Sequence, residues 1–274
     1  MRCVWILCGV LAAVAAAEVS GESRDARPEP ADVVTRAFDR MLNYPSVRTI
    51  ELRILRNGRV AGRRVFDVAY RKVEGRGHTI LRFKEPEYLR DNALLMIEEE
   101  SGENQTWLYQ PEEARPRRVS TYQKSDAFYG SDLSFEDVEN RRWQDYDLQY
   151  GDDRTAEGRH YLVVDARPRR HSPYTRASIW IERESGAIGR IEFYRREGQE
   201  PVKTMRVDLD TLREEKGLFI PKSMRFELTA REWSTEVNFL RVEVSPDIAS
   251  RAFTTMRLQS EGEDLFDLVR RLGE

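Results

Sequence analysis

A long succession of short runs, rich in β-branched and aromatic residues and separated by Gly, Asn, Asp and Pro, fills most of this sequence between residues 48 and 244. Several runs alternate apolar and polar residues, as strands with one buried face do. About a dozen occur, at the spacing of roughly 8 to 15 residues that is typical of a meandering antiparallel sheet. They are RTIELRIL (48–55), RRVFDVAY (63–70), HTILRF (78–83), NALLMIE (92–98), TWLYQ (106–110), YDLQY (146–150), HYLVVDA (160–166), RASIWIE (176–182), GRIEFYR (189–195), KTMRVDLD (203–210), LFIPKSMRFEL (218–228) and EVNFLRVEV (236–244). The chain is therefore predicted to be mainly β.

Turn dipeptides support hairpin connections between these runs. A polar residue followed by glycine suits the positive φ angles of tight hairpin turns. Such pairs stand at Asn57-Gly58, Ser101-Gly102, Ser185-Gly186 and Glu197-Gly198. Each predicts a hairpin.

A sheet of this length with one apolar face must close on itself or curve around something. Few helices can cover it. Apolar residues at helical spacing predict one at 31–42, a shorter one near 134–141 and one at 263–272. We expect a curved antiparallel sheet forming a half-open β-barrel, with helices at its mouth and an apolar hollow inside.

The first 17 residues have the pattern of a secretory signal peptide. Arg2 is a positive start, residues 3–17 are uncharged and apolar, and Ala15 to Ala17 form a small-residue cleavage site. The run is shorter than the about 20 residues that span a bilayer. We predict a cleaved signal at 1–17; the alternative is a retained membrane anchor.

Cleavage after Ala17 would remove Cys3 and Cys8, so the mature chain would have no disulfide and no thiolate. Loss of Arg2 would take the net charge from −3 to −4, a near balance that argues against nucleic acid as a partner. Residues 18–30 are polar and predict a flexible leader, followed by a single β-barrel domain at 31–274. An exported, cysteine-free chain is expected in a bacterial periplasm, not spanning the membrane after cleavage.

Motifs for catalysis, cofactors or metals are missing from the sequence. It has no GxSxG, GxGxxG or GxxxxGK[ST] pattern, and its three histidines, His78, His160 and His171, are not at metal-ligand spacing. Two RPRR stretches, 115–118 and 167–170, could contact anionic headgroups or an acidic surface, but solvated strand ends are the simpler interpretation. No enzyme activity, cofactor or metal is predicted.

The polar segment KSDAFYGSDLSFEDVE, residues 124–139, is predicted to be a structural corner. Ser134 and Asp137 fit a helix N-cap with an acidic residue in the first turn. Gly130 can adopt a positive φ and turn the chain out of the sheet. The corner comprises Gly130, Ser131, Asp132, Ser134 and Asp137. Cation binding by its acidic residues is disfavoured because their spacing matches no EF-hand loop.

A resemblance rests on an ordered set of segments. They include FKEPEYLRDNALLMIEEE, NQTWLYQPEEARPRRVS, KSDAFYGSDLSFEDVE, YDLQYGDDRTAEGRHYLVVDARP, IWIERESGAIGRIEFYRREGQ, GLFIPKSMRFEL and RAFTTMRL. In these the chain resembles the LolA-like family of outer-membrane lipoprotein-sorting proteins, over about residues 80–274 and more weakly at the 31–42 helix. The resemblance implies a half-open β-barrel with a helical lid that carries acyl chains of lipids or lipoproteins across the periplasm without chemistry on them.

The predicted function is therefore that of a periplasmic carrier or chaperone for a lipid or lipoprotein acyl chain, with an inner-membrane transporter as a possible partner. The candidate lining residues are apolar strand residues: Trp107, Tyr109, Ile179, Ile181, Ile191, Phe193, Met205, Val207 and Phe239. Core packing alone is the alternative role for each. Two other functions stay open: a cargo-free adaptor of a lipid-exporting transporter, and an enzyme with a site at the barrel mouth, for which Glu136 and Asp137 would be the residues to test.

Overall fold

The computed structural model describes residues 27–100, 104–139, 142–196, 198 and 200–273. The predicted signal peptide and most of the predicted leader lie outside the described residues. So do Ser101, Gly102 and Glu197, which belong to two of the predicted turns.

Sixteen strands lie in the described part of the chain, and those within the large sheet pair antiparallel. They are β1 (Ser46–Arg56), β2 (Arg59–Val73), β3 (Arg76–Glu85), β4 (Ala93–Ile97), β5 (Gln105–Tyr109), β6 (Arg117–Arg118), β7 (Tyr146–Tyr150), β8 (Arg154–Ala156), β9 (Arg159–Pro168), β10 (Arg176–Glu182), β11 (Ile188–Tyr194), β12 (Lys203–Val207), β13 (Arg213–Glu215), β14 (Leu218–Ile220), β15 (Ser223–Leu228) and β16 (Trp233–Val244).

Fourteen of these strands form one sheet in the order β6-β5-β4-β3-β2-β1-β16-β15-β12-β11-β10-β9-β7, with β8 also paired to β9. Strands β13 and β14 form a separate hairpin. The first and last strands of the chain's sheet region, β1 and β16, are neighbours in its middle, where Ser46 lies opposite Val244. Because β6 and β7 end the order without pairing to each other, the curved sheet is not closed.

Tight turns with positive φ at both central residues form several of the hairpins. At Asn57-Gly58, between β1 and β2, the φ angles are 50° and 74°. This geometry matches the right-handed twist of the flanking strands. Further turns of this kind join β2 to β3, β8 to β9 and β13 to β14; their residues are Glu74-Gly75, Glu157-Gly158 and Lys216-Gly217.

Four α-helices complete the described structure: α1 (Pro30–Met41), α2 (Phe135–Val138), α3 (Thr255–Leu258) and α4 (Leu265–Gly273). Single 3₁₀ turns occupy Glu87–Leu89, Pro111–Glu113, Thr121–Ser125, Phe128–Gly130, Trp143–Asp145, Leu209–Thr211 and Ser250–Ala252. Helix α1 begins with Pro30 at its first position and buries one face, as its spacing of apolar residues predicts. Helices α1, α2 and α4 correspond to the three predicted ones.

The sheet buries apolar side chains on both faces of its first half. Its concave face packs against α1 and the 124–139 corner, and this core includes Leu52, Phe66 and Leu81. The side chains that point to the other face of the same strands, such as those of Ala69 and Ile80, pack on the outer face against α3 and α4. Helix α4 therefore covers the back of the sheet, whereas a place at the mouth was predicted for it.

The predicted class, a mainly β curved and half-open sheet with few helices, is confirmed. Sixteen strands replace the dozen predicted for two reasons. Pro221 cannot donate a ladder hydrogen bond and separates β14 from β15 within the run at 218–228. In addition, β6, β8 and β13 are only two or three residues long, too short for an alternating pattern.

Candidate functional site

A cavity lies between the concave face of the sheet and the elements that cover it. Its volume is about 170 Å³. Most of its lining is apolar and comes from α1, the corner, and eight strands. The lining residues are Phe38, Leu42, Asn43, Arg48, Ile50, Leu52, Phe66, Val68, Tyr70, Thr79, Leu81, Met96, Leu133, Asp137, Val138, Glu139, Ile191, Phe193, Met205, Met224, Phe226, Val237 and Phe239.

Helix α1 closes one side of this cavity. Its buried face consists of Val34, Ala37, Phe38 and Met41. The ring of Phe38 packs on Trp143 with centroids 4.5 Å apart. On the outer side, the Arg40 guanidinium donates to the carbonyls of Gly217 at 2.9 Å and Ser185 at 3.1 Å. The helix is thus held by apolar packing inside and a few hydrogen bonds outside.

The corner closes another side. Gly130 has φ +77° and follows Tyr129, whose φ is 48°. Ser134 caps α2: its Oγ accepts from the Asp137 backbone N–H at 3.3 Å, while Asp137 Oδ2 accepts from the Ser134 N–H at 2.7 Å. This reciprocal pair is a capping box. Phe128 is fully buried beneath the turn.

Asp132 ties the corner to the middle of the sheet. Its side chain is 1% exposed and accepts from Arg56 Nη1 and Thr235 Oγ1, each at 2.8 Å. Arg56 in turn stacks on the Trp233 ring, 4.3 Å from its centroid. These contacts join β1, β16 and the corner at one end of the cavity.

Buried ion pairs fix the other polar groups of the corner. Asp137, with a fully buried side chain, accepts from Lys203 Nζ at 2.6 Å, and Lys203 also donates to Tyr174 Oη at 2.7 Å. Glu139 accepts from Thr106 Oγ1 at 2.5 Å and pairs with Lys124 Nζ at 3.0 Å. Each carboxylate that lines the cavity therefore has a lysine partner.

The polar end of the cavity is different. Arg48 and Tyr70 are 7% and 3% exposed, and neither Arg48 Nε nor Tyr70 Oη has a hydrogen-bond partner among the described residues. Burial lowers the pKa of the Arg48 guanidinium and raises the pKa of the Tyr70 hydroxyl. The Arg48 Nε–H and the Tyr70 hydroxyl are thus desolvated without a hydrogen-bond partner, a state that costs free energy.

The volume limits what this conformation can hold. A cavity of about 150 Å³ lined by aliphatic and aromatic side chains binds a molecule the size of benzene. A cavity of about 170 Å³ therefore accommodates a short hydrocarbon segment. A long hydrocarbon chain would exceed this volume.

The nine predicted lining residues fall into three groups. Ile191, Phe193, Met205 and Phe239 line the cavity. Ile179, Ile181 and Val207 are buried in the same concave-face core without lining it. Trp107 and Tyr109 lie on the outer face, in the core shared with α4. That any of them contacts a ligand stays a prediction.

Tyr109 on the outer face has its own polar partner. Its hydroxyl donates to Glu261 at 2.5 Å, and this hydrogen bond raises the pKa of Tyr109 to about 12. The interaction links β5 to the segment before α4.

Sequence reasoning missed Arg48, Tyr70 and Lys203. A signal for them exists, because each shares its strand face with apolar residues. Arg48 is two and four residues from Ile50 and Leu52, and Lys203 is two and four residues from Met205 and Val207, so each cation shares a strand face with apolar side chains. A cation in phase with a buried apolar stripe indicates a buried charge.

The remaining polar candidates lie apart from the cavity. His78 packs against Phe253, whereas His160 and His171 are near Thr155 and Tyr122 respectively. Within the described ranges, no group of three or more His, Cys, Asp or Glu residues could hold a metal ion. In the RPRR stretches, Arg117 pairs with Glu113 at 3.0 Å and Arg169 with Asp147 at 2.7 Å.

None of the helices in the described part of the chain is long and apolar enough to cross a membrane. No curated protein sequence matches the chain.

Solved structures share this fold. An outer-membrane lipoprotein-sorting protein domain from Vibrio parahaemolyticus has a TM-score of 0.76 at 23% identity, over 84% of this chain and 98% of that domain. A DUF1329 family protein from Desulfovibrio piger has a TM-score of 0.74 at 20% identity, over 84% and 97% of the two chains. A LolA superfamily protein from Nitrosomonas europaea has a TM-score of 0.67 at 17% identity, over 82% of this chain and 97% of that protein.

The sequence model of one family, described as an uncharacterized protein family, matches residues 75–260, more than half of the chain. The matched range contains all seven of the segments that carry the resemblance described above. The chain belongs to the DUF1329 family, and it shares its fold with the structures of the lipoprotein-sorting domain and the LolA superfamily protein.

Proposed function

We propose that this protein is a periplasmic carrier that binds the acyl chain of a lipid or lipoprotein and transfers it toward the outer membrane. The observation that supports this most is the apolar cavity between the concave face of the sheet and α1. Each methylene group moved from water into such surroundings contributes about 0.8 kcal/mol. A chain of moderate length can therefore be held without any covalent step.

The polar groups around the cavity fit a carrier better than an enzyme. Asp137 and Glu139 accept hydrogen bonds from the corner and from β5, and each is matched by a lysine. Carboxylates satisfied in this way stabilise the corner. The predicted signal peptide supports a periplasmic location.

Blocking the cavity tests the proposal. Val68 lines it and lies on β2, so a tryptophan there would occupy the space of the cargo. We expect Val68→Trp to abolish the fluorescence increase that an uncharged dye, N-phenyl-1-naphthylamine, shows on entering an apolar site. Lipid co-purified from the periplasm, measured by native mass spectrometry, should fall with it.

Val60 provides the matched control, since it is also on β2 but is 55% exposed. Val60→Trp should leave dye uptake unchanged. The carrier function is excluded if the wild-type protein neither takes up dye nor carries co-purified lipid. Equal uptake by the two tryptophan variants would instead place the binding site elsewhere.

A second candidate is a cargo-free periplasmic adaptor of a lipid-exporting transporter. The volume of about 170 Å³ favours it, because sites that enclose a ligand usually measure about 300 Å³ or more. An adaptor would carry no lipid when purified and would bind the periplasmic part of a transporter even after Val68→Trp. Retained binding with absent lipid would support the adaptor.

A further inference from the structure

The cavity has one polar end, and the strand register defines it. On the concave face, Arg48 lies opposite Val68, and Tyr70 lies opposite both Ser46 and Thr79. Arg48 and Tyr70 are thus diagonal neighbours on β1 and β2, a separation that long side chains bridge. The next concave-face positions, Ile50 and Phe66, begin the apolar part of the lining.

Arg48 is a buried cation without an acidic partner. Its Nη2 donates to the Leu42 carbonyl at 2.8 Å, and its guanidinium lies 4.5 Å from the centroid of the Tyr44 ring. No carboxylate of a described residue forms a salt bridge with it, and its Nε is unpaired. A buried guanidinium without an acidic partner is costly, so the surroundings of Arg48 favour an anion.

The hydroxyl of Tyr70 is a second unpaired donor at the same end. The acidic side chains that act on it are Glu98 and Asp39. Both are engaged elsewhere: Glu98 accepts from the Gly77 N–H at 2.8 Å, and Asp39 pairs with Lys72 at 2.8 Å. They leave the Tyr70 proton available.

Arg48, Asp137 and Glu139 are the charged residues of the cavity lining, and the local charge is positive once the lysines that pair with the two carboxylates are counted. Asp137 and Glu139 are matched by Lys203 and Lys124. Arg48 is the remaining formal charge on the lining. The polar end therefore favours an anion, and the apolar remainder favours hydrocarbon.

We propose that Arg48 and Tyr70 bind the anionic oxygen headgroup of a single-chain amphiphile, a carboxylate or a phosphate ester, whose hydrocarbon extends along Ile50 and Val68. This inference rests on the proposed carrier function and adds the headgroup chemistry to it. Arg48 supplies charge-assisted hydrogen bonds through Nε, and Tyr70 donates one from its hydroxyl. The bound anion would replace the hydration that both groups lose on folding.

The test compares probes of equal chain length: laurate, dodecyl phosphate and uncharged dodecanol, each displacing N-phenyl-1-naphthylamine from the purified protein. Charge-assisted hydrogen bonds predict that at least one anionic probe binds about tenfold or more tightly than dodecanol. Comparison of laurate with dodecyl phosphate identifies which anion is preferred. Arg48→Met should reduce the ratio of anion to alcohol affinity to about one, and Tyr70→Phe should lower it several-fold.

Tyr88→Phe is the matched control, since Tyr88 is 67% exposed and does not line the cavity. It should keep the full ratio. A wild-type ratio near one, with dodecanol still bound, would overturn the headgroup site and leave the carrier function standing. An anion-to-alcohol affinity ratio that stays high in both Arg48→Met and Tyr70→Phe would also overturn the headgroup site. The role of Arg48 would then be to stabilise the end of α1 through its hydrogen bond to the Leu42 carbonyl. Failure of all three probes to bind would refute the carrier function itself.

Discussion

At the scale of single residues, the contribution of an ion pair to the free energy of unfolding depends on how deeply its side chains are buried. Lys203 and Asp137 have side chains 7% and 0% exposed. Removing one partner of such a pair leaves an uncompensated buried charge, which costs about 3–5 kcal/mol. We expect Lys203→Met to lower the free energy of unfolding by about that amount, measured by urea denaturation.

Lys72 and Asp39 form the matched surface pair, at 2.8 Å and with side chains 40% and 37% exposed. Lys72→Met should cost no more than about 1 kcal/mol. Asp137→Asn combined with Lys203→Met should be less destabilising than the sum of the single changes. Additive effects would show that the two side chains do not stabilise each other.

Substitutions of Gly130 test whether residues 124–139 form a structural corner. Its φ is +77°, and an added Cβ would meet only Arg64 Nη2 at 3.8 Å, an ordinary contact. The cost of Gly130→Val is therefore conformational, about 1–2 kcal/mol or more for a β-branched residue in this region. Gly130→Asn should cost clearly less, because asparagine tolerates positive φ. Equal thermal stability of the valine variant and the wild type would refute the corner.

At the scale of elements, helix α4 is attached to the outer face through a pH-dependent link. Asp264 accepts from the Phe266 N–H at 2.9 Å and pairs with Lys84 at 3.1 Å, and Lys84 also reaches Asp67 at 3.1 Å. Burial acts to raise the pKa of Asp264, but Lys84 and the helix N–H groups outweigh it and lower that pKa below its usual value. Burial raises the pKa of the neighbouring Asp67.

A carboxyl whose pKa is lowered on folding stabilises the fold above its usual pKa of 3.8 and loses that effect as the pH falls through the folded value. Asp264→Asn keeps the cap but removes the charge, so it should be less stable than the wild type at pH 7. Because the pair is more than a third exposed, the difference should be below about 1 kcal/mol. It should shrink below pH 3.8 in urea titrations. A difference that is constant from pH 7 to pH 3 would contradict the ionic link.

For the whole molecule, local patterns predicted the strands, and long-range packing determined the site. Alternation and X-Gly turns depend on a few adjacent residues, which is why β1 and β2 could be recognised with their turn. Asp137 and Lys203 are 66 residues apart, and their contact depends on how the sheet curves. The assignment of Tyr109 to the outer face likewise depends on where α4 packs, which no local pattern specifies.

We expect α1, which covers one side of the cavity, to control access to it. Entry of a full acyl chain needs more room than about 170 Å³, and α1 has few outer contacts. Arg40 provides several of them: hydrogen bonds to the Gly217 and Ser185 carbonyls, and stacking on Phe219 at 4.2 Å. Arg40→Ala should loosen α1 while leaving the lining intact. We expect faster amide exchange in α1 and a several-fold faster association of N-phenyl-1-naphthylamine in stopped-flow measurements.

Arg36→Ala is the control on the same helix, because Arg36 is exposed and makes no side-chain hydrogen bond or ion pair with the described residues. It should change neither quantity. Faster amide exchange in Arg40→Ala without faster dye association would mean that cargo enters elsewhere, and the open side of the sheet between β6 and β7 would become the route to test. Faster association with an unchanged affinity would be the signature of a gate, since a gate alters the rates of entry and exit together and leaves their ratio the same.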